Sequence, residues 1–283
     1  MGDGDYGYEF GSAEDELERL EVQGKALAPA TRMIFAAAGI RAGMRVLDLG
    51  CGTGDVAFAA ADLAGPEGYV TGVDSSPQAV GRARLRAEQR GLTRVEFVEG
   101  DIHDPAPGGP FDAIVGRLVL MYVPDPAAVL RQQATTLRAG GLVVPIELDI
   151  PAARALPATS LVSQALAWVT EAFARAGIRP QLGTRLWAIL EEAGLRPLGM
   201  LGVQPHFGPS DPGAITGGLA GVIRTAAPLI ERTGVATAEE IGVETFAQRL
   251  ADDLRTNQAV FAYPMLLSCW GTTGGAAPRP AHP

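Results

Sequence analysis

The densest cluster of chemically suggestive residues is Val46-Leu47-Asp48-Leu49-Gly50-Cys51-Gly52-Thr53-Gly54-Asp55, where an apolar run passes into three alternating glycines and then into helical sequence. Glycines at such a turn permit positive φ and let a ligand approach backbone that side chains would otherwise shield. A glycine turn alone can be a purely structural strand-to-helix connection, so the acids downstream matter. Asp74 closes a second apolar run, Tyr69 to Val73, 20 residues after Gly54; a carboxylate there can accept both hydroxyls of a ribose. In Gly100-Asp101-Ile102, closing a third run, a carboxylate can accept the exocyclic amine of an adenine and an aliphatic side chain can cover its face. Each is by itself an ordinary loop residue. At successive strand ends of a doubly wound sheet they describe an adenosine pocket.

Positioning these residues requires short strands alternating with helices, the pattern of a parallel sheet covered on both faces. Strands are predicted at 45–49, 69–73, 95–98, 111–115 and 142–148, and helices at 55–64, 77–90 and 126–138. Ser76 before Pro77 and Asp125 before Pro126 mark two helix starts, each an N-cap followed by proline at the first helical position. Upstream, Ser12 and Asp15 read as a capping box opening a helix striped by Leu17, Leu20 and Leu27, interrupted at Pro29 and stopped at Gly39. Beyond Asp149 the pattern loosens into helices at 159–176 and 184–193, a strand at 197–204, an amphipathic Gly- and Pro-rich stretch over 206–255 and a final apolar run from Ala259 to Trp270. If that run is the last strand, the stretch before it is too long for a hairpin and should form a cap. The divisions expected are 1–40 as a helical cover, 41–150 as the ligand-binding core, 151–205 completing the core with a cap helix, 206–256 as the cap insertion, 257–272 as the last core strand and 273–283 as a disordered tail.

Composition narrows the function classes. With 283 residues, 47% hydrophobic and 19% charged, the chain can bury a sizeable core. No apolar run approaches the roughly 20 residues of a bilayer-spanning helix, and Met1 to Phe10 lacks a basic region followed by an apolar one, so a soluble, cytoplasmic protein is expected. Two cysteines and three scattered histidines supply neither a disulfide framework nor a zinc site, and no metal is expected. A formal charge of −9 makes nucleic acid a poor partner and a small molecule the favoured one; a homo-oligomer is compatible with all of this.

The chain resembles the class I S-adenosylmethionine (AdoMet) dependent methyltransferases, particularly the ubiquinone/menaquinone-type C-methyltransferases and small-molecule relatives of bacterial secondary metabolism. The resemblance covers residues 20 to 150, and its carriers are the glycine segment already quoted, Gly72-Val73-Asp74, Gly100-Asp101-Ile102, Phe111-Asp112-Ala113-Ile114-Val115 and Leu137-Arg138-Ala139-Gly140-Gly141. It implies an α/β, Rossmann-like seven-stranded sheet, mostly parallel with the last strand antiparallel, under a helical cap. It also implies AdoMet as cofactor, with Asp48 and Gly50, Cys51, Gly52 and Gly54 at the methionine part, Asp74 at the ribose, Asp101 and Ile102 at the adenine, Arg117 lining the sulfonium side and Ser75 also among the cofactor-binding residues. The rival cofactor is NAD, whose fingerprint needs a glycine three residues after the second so that a helix N-terminus can receive pyrophosphate. That position here is Asp55, an anion. AdoMet has no phosphate and carries a sulfonium and an ammonium, which suits Asp48 and Asp55; a Walker loop is excluded because no Gly-Lys-Ser/Thr follows.

Methyl transfer is a displacement on an already activated centre, so proximity and orientation supply much of the catalysis and a base is needed only if the acceptor must lose a proton. His206, in Val203-Gln204-Pro205-His206-Phe207, is the first candidate for that base or for a substrate anchor, with a packed or surface-loop histidine as the plain alternative. His103 belongs to the cofactor rim and His282 to the tail. Glu147 and Asp149 close the fifth strand on the cofactor's edge, where a core or capping role competes. Tyr8, Trp168 and Phe207 are candidate substrate walls beside Tyr6 and Trp187, the last of which reads as core. Gly116-Arg117-Leu118-Val119 carries none of the Pro-Pro-aromatic sequence of exocyclic-amine nucleic-acid enzymes, and the Pro-Cys of cytosine enzymes is missing. The expected activity is therefore methyl transfer to O, N or C of a small, largely apolar metabolite. The alternatives are C-methylation coupled to cyclisation, or non-catalytic AdoMet binding. Residues 1–28 and 206–255 are expected to cover the substrate.

Overall fold

Strands β1 (Arg45–Leu49), β2 (Tyr69–Asp74), β3 (Val95–Glu99), β4 (Phe111–Arg117), β5 (Leu137–Asp149), β7 (Arg196–Val203) and β10 (Met265–Thr272) form one sheet in the order β3-β2-β1-β4-β5-β10-β7. The computed structural model describes residues 13–210 and 218–274. Neighbours pair in parallel except β10, which runs antiparallel to both β5 and β7. Consecutive residues of the central strands are buried, as Val46 to Leu49 and Ala113 to Gly116 are, so both faces of the sheet are covered. Helices α2 (Asp55–Ala64), α3 (Pro77–Gln89), α4 (Pro126–Ala134) and α6 (Leu186–Glu192) pack against it. The Ser76 and Asp125 caps form: each side chain accepts the backbone N–H three residues on.

Three expectations change. Helix α1 (Ala13–Ala38) runs through Pro29 without a break. Pro29 and Lys25, whose carbonyl loses its partner, both face solvent, while Leu27, Ala30 and Ile34 keep the helix on the core. The helix predicted over 126–138 stops at Ala134, and β5 begins at Leu137, five residues before its predicted start. Leu137 pairs with Phe111 and Leu142 with Ala113, so Leu137 to Leu142 bulge outward against a shorter stretch of β4. Trp187 is 45% exposed, its indole N–H donating to Glu191 at 3.1 Å, and is a surface residue.

The final apolar run is not one strand. It divides at Tyr263-Pro264, where proline has no N–H for a ladder: Val260–Ala262 is β9, and β10 follows. Strand β9 is the centre of a small antiparallel sheet with β6 (Arg154–Leu156) and β8 (His206–Phe207). Helices α5 (Ser160–Arg175), α7 (Leu219–Arg232), α8 (Ala238–Ile241) and α9 (Val243–Thr256) complete this part, with α7 packed against α5 and α9. Among the described residues no helix is long and apolar enough to cross a membrane. Tyr6, Tyr8, Phe10, Ser12 and His282 lie outside the described residues.

Beneath the glycine turn, Asp55 and Arg86 form a two-pronged ion pair at 2.8 and 2.9 Å, with side chains only 12% and 9% exposed. Arg86 also donates to the Thr53 carbonyl at 2.6 Å, tying α3 to the turn. Helix α1 crosses above it at Gly24, where any Cβ would collide with the Asp55 carboxylate. Removing one partner strands a buried charge, a loss that typically costs about 3–5 kcal/mol. Arg86→Met is therefore expected to lower unfolding stability by that order in urea titrations; a loss below about 1 kcal/mol would show the pair to be solvent-screened.

Candidate functional site

The carboxyl ends of the parallel strands and the start of β10 meet at one edge of the sheet. The strand order reverses between β1 and β4, and loops leaving neighbouring strands at such a point diverge and open a crevice. Here the crevice continues into a cavity of about 1250 Å³ reaching under the small sheet and α5 and α7.

Its outer part is built by four loops. Gly50, Gly52 and Gly54 have φ of 61°, 50° and 91°, a left-handed turn that only glycine enters without strain. Gly50 is also a steric requirement, because a Cβ there would lie 2.5 Å from a Val119 methyl carbon. Asp74 grips this turn: Oδ2 accepts the Gly52 N–H at 2.8 Å and Oδ1 the Ser76 N–H at 2.9 Å. Cys51, Ser75, Asp101, Ile102 and Arg117 all line the same space. Asp101 accepts from the His103 backbone N–H at 2.8 Å and faces its imidazole at 2.7 Å, contacts that hold its carboxyl below the usual range. Asp48 lies beneath the turn, fully buried, with neither carboxylate oxygen partnered among the described residues; burial pushes its pKa well above the ordinary carboxylate value while the nearby Arg117 charge pulls it down. Burial likewise raises the Cys51 thiol and lowers Arg117.

This donor and acceptor set fits AdoMet. Asp48's two orphaned oxygens call for a proton or a neighbouring cation, and Asp74 and Asp101 supply further acidic groups around an open glycine turn. Contrary to what its place in the sequence suggests, Asp55 does not present a bare anion to the ligand, since both its oxygens are held by Arg86.

The inner part is apolar, walled by Leu166, Val169 and Phe173 of α5, Leu219 and Val222 of α7, and Phe261. Helix α1 contributes Leu17, Leu20 and Gln23 to the lining. Thus α1 and α7 cover the cavity, as does α5, while α8 and α9 stand outside its lining. His206, Trp168 and Phe207 are also outside it. The His206 ring is exposed and bonded to the Gln204 carbonyl at 2.9 Å; Trp168 is buried on the other side of α5, beside Pro151 and Val235; Phe207 packs edge-on against Tyr263.

Three residues that sequence reasoning passed over or left undecided hold the site in shape. Gln133, fully buried on α4, donates to the Ile102 and Asp104 carbonyls at 2.7 and 2.6 Å and accepts from Ala106, fixing the loop after β3. Its signal was an amide in line with Val129 on an apolar stripe. Tyr263 lines the cavity and takes a bond from Gln23 at 3.3 Å; nothing in the sequence pairs residues so far apart. Glu147, on β5, accepts the N–H groups of Val119 and Leu120 at 3.0 and 2.7 Å through Oε1, while Oε2 has no partner among the described residues. It pins the loop in which Leu118 adopts φ 59° and Val119 fills the space above Gly50. Burial pushes its pKa up to about 8.

A family model described as a methyltransferase domain matches residues 40–193, more than half of the chain. Among curated proteins, the chain is 36% identical over 102 residues to the aklanonic acid methyltransferase DauC of Streptomyces sp. (strain C5), covering 36% of this chain and 46% of that protein. It is 34% identical over 113 residues to the demethylmenaquinone methyltransferase of Geobacillus kaustophilus (strain HTA426), covering 40% and 48%. The chain thus spans about half the length of the curated relatives it matches. Among solved structures, a geranyl diphosphate methyltransferase in complex with SAM superposes with a TM-score of 0.54 at 15% identity, covering 94% of each chain, a likeness of fold.

The Glu147 geometry has a measurable consequence. A carboxyl whose folded pKa is raised from 4.5 to about 8 binds a proton in the folded state that the unfolded chain has released, so stability is full below pH 4.5 and falls as pH rises towards 8. The slope approaches 1.4 kcal/mol per pH unit at most, about the value of one proton. Glu147→Gln, which keeps the accepting oxygen, should flatten that decline in denaturation curves taken across the range; an unchanged slope would show that Glu147 does not titrate there.

Proposed function

The chain belongs to the methyltransferase-domain family, and from that premise we propose that it moves the methyl group of AdoMet to a small, largely apolar metabolite. The observation that carries this reading is the two-part cavity. At about 1250 Å³ it exceeds the roughly 300–1,000 Å³ of a typical single-ligand site, and its acidic, glycine-lined outer part and apolar inner part suit two different molecules. The resemblance to an aklanonic acid methyltransferase supports an acceptor from secondary metabolism.

Bound AdoMet supplies a methyl group already activated by its sulfonium. The chain's own residues bind and orient. Asp74, with Ser75, would take the ribose hydroxyls on lone pairs not used by Gly52 and Ser76; Asp101 and Ile102 would hold the adenine; the turn from Gly50 to Gly54, with Asp48 below and Arg117 beside it, would hold the methionine part. Glu147 and Gln133 keep two of the four loops in register with them. Fixing two reactants in a reactive geometry is worth up to about 7–11 kcal/mol, and the walls from α1, α5 and α7 exclude water from it. His206, outside the lining, is not required: an acceptor that ionises by itself needs no base from the protein.

Asp74→Ala tests the cofactor half. Loss of charge-assisted bonds to a ribose is expected to weaken AdoMet binding by about 1.5–3 kcal/mol, or roughly ten- to hundredfold, measured by calorimetry on a variant whose fold is checked by circular dichroism. Unchanged affinity in a folded variant overturns the ribose assignment. Formation of S-adenosylhomocysteine with candidate acceptors tests the transfer itself.

A further inference from the structure

Where the two parts of the cavity meet, Arg19 and Gln23 of α1, Tyr263 between β9 and β10, and Arg117 at the end of β4 converge on the lining. Their hydrogen bonds can be followed link by link. A guanidinium only donates. Arg19 Nη1 donates to Gln23 Oε1 at 3.4 Å, which settles which end of the amide is which and turns Nε2 to donate to the Tyr263 hydroxyl at 3.3 Å. The Tyr263 oxygen is therefore the acceptor of that bond, and among the described residues no acceptor takes its own proton, which faces the cavity. Burial raises its pKa, so the proton stays on. Arg117 can likewise only donate; Nη1 gives to Thr31 Oγ1 at 2.7 Å, and the Thr31 proton goes on to the Leu27 carbonyl at 2.9 Å. Arg117 is near enough for its charge to act on Tyr263. Of the acids that act on Arg117, Asp55 is paired with Arg86, and Asp48 is buried under the glycine turn without a hydrogen bond to the guanidinium.

We infer that this junction is a head-group subsite for an anionic oxygen of the acceptor, a carboxylate, phenolate or enolate, and that it discriminates against amines. The inference rests on the reading of the outer part as the AdoMet site and names the acceptor class for it. A ligand oxygen brings lone pairs to the Tyr263 hydroxyl hydrogen and to the positive charge of Arg117 beside it. An ammonium or amine N–H would set donor against donor in a buried place, where an unmet donor is costly. The Leu166, Val169, Phe173, Leu219 and Val222 wall beyond the junction takes an uncharged aromatic or aliphatic body behind that oxygen.

The probes are naphthoate, naphthol and naphthylmethylamine, which share one body and differ in head group, titrated calorimetrically into the full chain with and without S-adenosylhomocysteine. Naphthoate is expected to bind at least about tenfold more tightly than the amine, the size of one charge-assisted hydrogen bond, with naphthol between them. Tyr263→Phe, which keeps the ring and its packing, should remove most of that difference while leaving S-adenosylhomocysteine affinity unchanged. Gln23→Leu, which frees Tyr263 from its ordering partner, should shrink it as well. Equal or tighter binding of the amine, no binding of either oxygen probe, or full discrimination retained in both variants overturns the subsite. Oxygen selectivity without any S-adenosylhomocysteine binding would instead overturn the cofactor reading and leave the subsite standing.

Discussion

Everything at this site depends on a reversal of strand order. Strands β2 and β3 lie to one side of β1, and β5 lies beyond β4 on the other, so the loops that leave the carboxyl ends of β1 and β4 run in diverging directions. A crevice is the unavoidable result. Its shape is not, because two loops with no regular structure must be held against each other. Val119 occupies the space that Gly50 leaves by having no side chain, Asp74 grips the glycine turn, and Glu147 clamps the facing loop by taking both N–H groups of Val119 and Leu120 on one oxygen. A non-glycine residue at positive φ, Leu118, sits directly before that clamp, and such a conformation persists only where its surroundings insist on it.

Buried charge around the crevice is arranged in the same spirit. Asp55 and Arg86 neutralise each other beneath the turn and tether α3 to it, which frees the turn's upper side from carrying structural charge. Asp74 is shared between the loop and the cavity. Asp48 has no hydrogen-bond partner among the described residues, and burial raises its pKa and lowers that of Arg117. Unsatisfied polar atoms of this kind are rare in a native interior and gather where a ligand completes them.

The inner chamber is made by a different device. Three short segments far apart in the chain, at 154–156, 206–207 and 260–262, combine into a small sheet beside the main one. The break at Tyr263-Pro264 lets one apolar run serve both sheets and turns Tyr263 into the cavity at the boundary between them. Helices α5 and α7 then close the space, and their amphipathic faces account for its apolar character.

Local sequence determined the parallel sheet, the glycine turn and the acids at successive strand ends, because each of these is a short-range pattern: an apolar run, a residue allowed at positive φ, a carboxylate at a fixed distance from a strand end. Helix caps at Ser76 and Asp125 belong to the same class and form as expected. What lay beyond the sequence depended on contacts between distant segments. Pro29 stays inside a helix because its faulty turn faces water; Asp55 is structural because Arg86 reaches it from another helix; Gln23 and Tyr263 meet across 240 positions of chain. His206 and Trp168 lie outside the cavity because strand pairing and the packing face of α5 put them there, and neither is written in the residues nearby. Composition and spacing specify which groups a chain can bring to a site. Only the packed fold decides which of them face it, since burial and hydrogen-bond partners are properties of neighbours in space.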